Sequence, residues 1–217
     1  MKPAADGREG FAAFLLRMRA RGIDDRALFA AVEATPRALF VPSQWQSVAW
    51  SERMVPIECG EAIEGLDLQA LVLHALGIEP GHRVLEIGTG SGYTAAVAGR
   101  LANRVLSLER YRLLSEQARE HHLKLGLGNI AVRQADGAAG AAAEGPFDRI
   151  VAWCAFTELP RGFVDQLSTG GVMVAPIGPA EDVQAMAKLT KIGSRFDRED
   201  IAEVRLQPFV GGMAAAI

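Results

Sequence analysis

Val84-Leu85-Glu86-Ile87-Gly88-Thr89-Gly90-Ser91-Gly92-Tyr93 joins an apolar run of strand type to a helical run, Tyr93 to Leu101, through three alternating glycines. Glycines in alternation let the backbone turn sharply and let a ligand approach it closely. A loop of this kind, outside the carboxyl end of a strand, is where open α/β sheets bind ligands. A dinucleotide fold asks for G-x-G-x-x-G. Here the third glycine comes one residue early, and Tyr93 stands where that fingerprint has its last glycine. Glu86, two residues before the first glycine, disfavours a pyrophosphate and suits an ammonium group, directly or through water. The chain also lacks the GKS/GKT end of a phosphate-binding P-loop.

Outward from the loop, the next strand, Val105 to Leu108, is followed by Glu109, at the position where an acid bonds ribose hydroxyls in mononucleotide-binding βαβ units. After the strand Ile130 to Gln134 come Ala135, Asp136 and Gly137, and Asp136 is placed to accept from an adenine amino group. Acids at three successive strand ends, with Gly88, Thr89, Gly90, Gly92 and Gly137 as close-approach backbone, suit a cationic, hydroxyl-rich, adenine-bearing cofactor. S-adenosylmethionine (SAM) is the expected ligand.

The same rhythm predicts the rest of the fold. Strands at Ile150 to Trp153 and Val172 to Val174, with a helix over Leu113 to Leu125, imply a mostly parallel twisted sheet with helices on both faces, a Rossmann-like α/β fold. Before it, residues 1–65 read as an N-terminal helical and loop extension to a core over 66–217, the whole forming one domain. Residues 9–21 have helical spacing, Asp24 is placed to cap a second helix ending before Pro36, and 43–65 shows no period and reads as an ordered loop. Leu66 to Leu76 reads as a helix closed by Gly77. The tail predicts an antiparallel strand pair, 185–192 and 201–209, around a polar loop at 193–197.

Composition narrows the class. The chain has 217 residues, 49% hydrophobic and 23% charged, with 26 acidic against 23 basic residues, which is too apolar for disorder and too balanced for a dedicated nucleic-acid binder. No run reaches the ~20 apolar residues of a membrane span. Met1 to Asp6 has no apolar core of a secretory leader, so a cytoplasmic location is expected. Cys59 and Cys154 make no disulfide framework and no zinc quartet, and no metal site is read: His121 and His122 diverge on their helix, and His74 and His82 lack ligand spacing.

Several blocks, in order, resemble the protein-L-isoaspartate O-methyltransferase family over nearly all of the chain. They are Arg21-Gly22-Ile23-Asp24-Asp25, Pro36 to Pro42, the loop Val84 to Ala96, Gly145-Pro146-Phe147-Asp148-Arg149-Ile150, Gln166-Leu167 with Gly170-Gly171, and Pro176-Ile177-Gly178. The resemblance implies a SAM-dependent enzyme that methylates the α-carboxylate of L-isoaspartyl residues in damaged proteins, with protein or peptide substrates as partners.

One block departs. The family segment Gly-Gln-Thr-Ile-Ser is here Gly60-Glu61-Ala62-Ile63-Glu64, with Leu66 where a proline aligns. Glu64 replaces the hydroxyl associated with the active site and is the candidate catalytic residue. Facing an anionic substrate from 4 Å, an ionised carboxylate costs on the order of 4 kcal/mol at an effective dielectric of about 20. Glu64 therefore points away, is protonated, or serves as a base for a different nitrogen or oxygen nucleophile. A SAM-binding module without isoaspartyl activity is the remaining alternative. Glu61 reads as polar-loop variation, Cys154 as a small buried hydrophobe, Trp153 as a pocket filler, and Arg17, Arg19 and Arg21 as a solvated helix face.

Overall fold

The computed structural model describes residues 7–158 and 161–214. The reading of a leader at Met1 to Asp6 lies outside them. The chain opens with helices α1 (Gly7–Ala20) and α2 (Arg26–Glu33). The cap of α2 is Asp25, whose carboxylate accepts from Leu28 N at 3.0 Å, not Asp24, which pairs with Arg19 instead. After a 3-10 turn at Arg37–Phe40, 3-10 segments at Ser43–Val48 and Glu58–Gly60 and two short strands, β1 (Val55–Pro56) and β2 (Ala62–Ile63), occupy the stretch 43–65 read as loop. Prolines at 36, 42 and 56 keep each element too short to register as a period. Helix α3 (Leu66–Leu76) ends on Gly77 in the left-handed region, φ +57°.

The core is a seven-stranded sheet. Its strands are β3 (Arg83–Ile87), β4 (Arg104–Glu109), β5 (Ile130–Gln134), β6 (Phe147–Ala152), β7 (Leu167–Ile177), β8 (Gln184–Ile192) and β9 (Arg195–Val204), in the order β5-β4-β3-β6-β7-β8-β9. The first five strands of that order are mutually parallel; β8 pairs antiparallel with β7, and β9 with β8. Helices α4 (Tyr93–Leu101) and α5 (Arg112–Lys124) make the crossovers from β3 to β4 and from β4 to β5. Alternation along the strands divides the interior. Val84, Val105, Val151 and Val174 pack with α1 to α4 on one face. Leu85, Leu106, Ile150 and Met173 form the other core, where the helical cover among the described residues is short 3-10 segments, one of them carrying Phe163.

Two expectations are corrected here. The strand pair is 184–192 and 195–204, joined by a turn at Gly193–Ser194, so Arg195, Phe196 and Asp197 belong to the strand and not to a loop. Strand β9 is the sheet edge, and exposed charges along an edge are a defence against further strand pairing, which gives its first half a loop-like composition. Second, Arg19 and Arg21 are exposed as read, but Arg17 is not part of that solvated face. Arg17 donates to both carboxylate oxygens of Asp67 at 2.8 Å and to Trp50 O at 2.7 Å, and Arg21 pairs with Glu52 at 3.1 Å. The Asp67 side chain is only 2% exposed, so Arg17 fastens α1 to α3 by neutralising a buried charge, with Arg21 3.7 Å from the same carboxylate.

Candidate active site

From β3 the chain steps to β4 and β5 on one side, and later returns to β6 on the other. The carboxyl ends of β3, β4 and β6 therefore flank a topological switch point, the place where an α/β sheet opens a crevice. A half-open cavity of about 110 Å³ lies there. Its floor is Gly88 and Gly90, its sides are Glu109 with Arg110 and Trp153 with Cys154, and its cover is Glu61 and Ala62 from the β1–β2 turn and residues 207–210 from the tail.

The loop glycines are required by the backbone: φ is +89° at Gly88, +53° at Gly90 and +86° at Gly92. Gly92 has a packing reason as well, since a Cβ there would lie 2.8 Å from Ala118 Cβ on α5. It seats the loop and does not line the cavity. Gly137 does line it, and a Cβ there would meet Ile87 Cγ2 at 2.6 Å. The histidines of α5 support the loop: the ring nitrogens His121 Nδ1 and His122 Nε2 lie 3.0 Å from Ser91 O and 2.8 Å from Gly92 O.

The acids read from the sequence occupy three different environments. Glu109 is on the cavity wall. Its carboxylate accepts from Gly90 N at 2.9 Å and Tyr111 N at 3.0 Å, clamping the glycine loop to the end of β4. Burial raises its pKa, while the two amides pull the other way. Glu86 lies beneath the loop and off the cavity wall, 1% exposed, with Thr94 Oγ1, Ser107 Oγ and Trp153 Nε1 all donating to it. Burial pushes its carboxyl up to about 7 against those bonds. Thr89 joins this buried network through Ser107 Oγ at 2.6 Å, so its side chain also faces away from the cavity. Asp136 is exposed and caps a 3-10 turn by accepting from Ala138 N at 2.9 Å; the wall beside it is Gly137.

Glu64 follows Ile63, which packs beside Gly90, but its side chain is not on the cavity wall. Fully buried Arg37 donates to Glu64 O at 2.7 Å and to Gln69 Oε1, with its guanidinium 4.5 Å from the Tyr93 ring centre. Burial pushes the Glu64 carboxyl up to about 7, with Arg37 acting in the opposite direction.

Cys154, read as a small buried hydrophobe, is half-buried. Burial first, then Glu109 and Glu61, push its thiol up to about 12, so it is no thiolate nucleophile at neutral pH. Trp153 fills space as read, and also bonds Glu86 at 3.1 Å. Glu61, read as loop variation, is a cavity-wall carboxylate, and the tail residues of the cover were not read as site residues. Among the described residues no group of three His, Cys, Asp or Glu is arranged to hold a metal.

Comparison with known proteins places this geometry. The family model for protein-L-isoaspartate(D-aspartate) O-methyltransferase matches residues 6–214. The chain belongs to that family. A protein-L-isoaspartate O-methyltransferase of Rhizobium meliloti (strain 1021) is 48% identical over 92% of this chain and 98% of its own. One from Azorhizobium caulinodans is 43% identical over 95% of each chain. A solved protein-L-isoaspartate O-methyltransferase superposes with a TM-score of 0.83 at 26% identity, over 94% of this chain and 67% of that one. A Plasmodium falciparum structure given the same description, in complex with S-adenosyl-L-homocysteine (SAH), shares the fold with a TM-score of 0.78 at 22% identity.

Proposed function

We propose that this protein transfers the methyl group of SAM to the α-carboxylate of L-isoaspartyl residues in proteins and peptides. The observation that carries the reading is the cavity at the switch point, with Glu109 holding Gly90 and Tyr111 amides while keeping lone pairs free for ribose hydroxyls. The donor set fits this cofactor. The wall offers two carboxylates, close backbone at Gly88, Gly90 and Gly137, and apolar surface, but no phosphate-binding cluster of cations.

When bound, SAM supplies an activated methyl whose bonding pair stays on sulfur while the acceptor oxygen forms the new C–O bond. The acceptor carboxylate is already a nucleophile, so the protein's task is to position and to exclude water. Glu109 fixes the loop. Glu86 ties α4, β4 and Trp153 into one buried network under it. Gln207 Nε2 donates to Gly60 O at 3.3 Å, joining the two halves of the cover.

Glu64 is proposed to face the acceptor from the edge of this cover. A carboxyl with a pKa of about 7 is largely neutral in mild acid, which removes the repulsion expected from an ionised group. The sign follows: neutral below about 7, repelling above it. The KM for an isoaspartyl peptide is expected to rise about tenfold from pH 6 to pH 8, the ratio of the neutral fractions. Glu64→Gln, which cannot ionise, should hold KM nearly level across that interval. Steady-state kinetics at the two pH values decide it, and a flat native profile removes Glu64 from the acceptor side.

We infer further that the chain acts as a single domain, α1 to α4 sharing a core with the sheet, and works in the cytoplasm, where Cys59 and Cys154 stay reduced. No helix among the described residues is long and apolar enough to cross a membrane. The test is radiolabelled transfer from SAM to an isoaspartyl peptide, with the matched aspartyl peptide as control. Labelling of the first alone is expected. No labelling of it, with SAM still bound, overturns the acceptor assignment.

A further inference from the structure

Glu61 stands apart from the other acids of the cavity. Its backbone is fixed at both ends of a tight turn, with Glu61 N donating to Glu58 O at 3.2 Å and Ile57 N donating to Glu61 O at 2.9 Å. The turn is made compact by left-handed backbone at Cys59, φ +64°, and Gly60, φ +73°. Gln207 holds the turn from the tail side. The side chain thereby lines the cavity beside Tyr111, with Glu109 and Cys154 on the same wall. Glu86 is saturated by three side-chain donors and Glu109 by two amides. Among the described residues, no Arg, Lys or His lies within 4.0 Å of the Glu61 carboxylate. Burial comes first in raising the pKa of Glu109, Tyr111 and Cys154, and the Glu61 charge adds to it in all three.

A negative charge without an ion-pair partner among the described residues, on a half-enclosed wall, distinguishes ligands by charge more than by shape. The two forms of the cofactor differ in charge. The sulfonium of SAM is cationic, and the thioether of SAH, left after the methyl has gone, is neutral. We propose that Glu61 is a specificity determinant that favours the charged cofactor over its neutral product, so that methyl transfer itself weakens the hold of the cavity on what remains. The inference rests on the SAM-dependent reading above.

This preference has a cost with a definite sign. Stabilising a cation in the bound ground state opposes a step in which that cation is discharged. A neutral residue at 61 should therefore weaken SAM binding without slowing single-turnover transfer. The position is a glutamine in the family segment Gly-Gln-Thr-Ile-Ser, so Glu61→Gln is the near-isosteric variant.

Calorimetric titration of the intact protein with SAM, SAH and sinefungin, whose amine carries a positive charge near the place of the sulfonium, reads the effect without turnover. In Glu61→Gln the ratio of SAM to SAH affinity is expected to fall about five- to tenfold at low salt, where tenfold corresponds to ~1.4 kcal/mol. Sinefungin should follow SAM, and SAH should stay within about twofold of native. Added salt should shrink the native preference for SAM. An unchanged ratio, or equal weakening of all three ligands, overturns the assignment and leaves Glu61 as a structural part of the turn. Failure of the native protein to bind either SAM or SAH would instead strike the cofactor reading beneath it. Binding of both with no transfer to an isoaspartyl peptide strikes only the acceptor.

Discussion

Gly65→Ala is expected to lose about 3 kcal/mol of folding stability and most of its methyl transfer, although alanine adds a single methyl group. A Cβ at Gly65 would lie 2.1 Å from Glu52 O and 2.3 Å from Glu52 C. Both are backbone atoms, so no side chain can swing aside. The approach is fixed by Leu66 N donating to Ser51 O at 3.1 Å, and Gly65 O itself accepts from Gln69 N at 3.2 Å in the first turn of α3. Separating the two strands of chain breaks the first of these bonds and moves Glu64 away from Arg37, the buried cation that holds its carbonyl. Backbone strain is not the cause, because Gly65 has φ −58°, which alanine adopts freely. Gly60→Ala is the informative contrast. Gly60 has φ +73° and nothing within 4 Å of an added Cβ, so its cost should be limited to about 1 kcal/mol of left-handed strain. Urea unfolding of the two variants beside the native protein measures the difference. Equal, small losses would show that the Glu52–Gly65 contact gives way easily.

The contrast between these two glycines also marks what a sequence can and cannot disclose. Gly88, Gly90 and Gly92 were legible because their need is local: a strand hands over to a helix within a few residues, and three positive φ angles follow. Glu109 was legible for the same reason, as the residue that ends the next strand. Gly65 looked like ordinary loop, because the backbone that forbids its side chain is thirteen residues earlier and meets it only after folding. Glu86 was recognised as important, but its donors come from α4, β4 and the end of β6, so its burial beneath the loop follows from packing. Glu61 and the tail were missed because the cavity cover is made by a contact between Gly60 and Gln207, 147 residues apart. The β9 boundary failed for a different reason: at a sheet edge, charge says exposure and not irregularity.

Glu109→Ala is expected to lower SAM and SAH affinity by about a hundredfold or more, the largest effect on binding of any single change at the site. Two contributions act together. The first is the loop: Gly90 N and Tyr111 N both lose their acceptor, and a buried amide without a partner costs ~1–3 kcal/mol, which is relieved when the loop opens and the floor of the cavity distorts. The second is the proposed contact to the ribose hydroxyls, a bond to a charged group contributing ~1.5–3 kcal/mol. Their sum, ~2.5–6 kcal/mol, corresponds to about a hundredfold at its lower end. Unlike Glu61→Gln, this change should weaken SAM and SAH alike, because the ribose is common to both and the sulfonium is not involved. Glu109→Gln separates the contributions. It keeps the shape and one acceptor oxygen, so it should retain one amide contact and bind between native and alanine. Calorimetry with SAH, read beside the melting temperature without ligand, distinguishes loss of the site from loss of the fold. An alanine variant that binds SAH within about threefold of native would show that Glu109 holds the loop and not the cofactor. Loss of SAM binding alone, with SAH retained, would transfer to Glu109 the charge discrimination assigned above to Glu61.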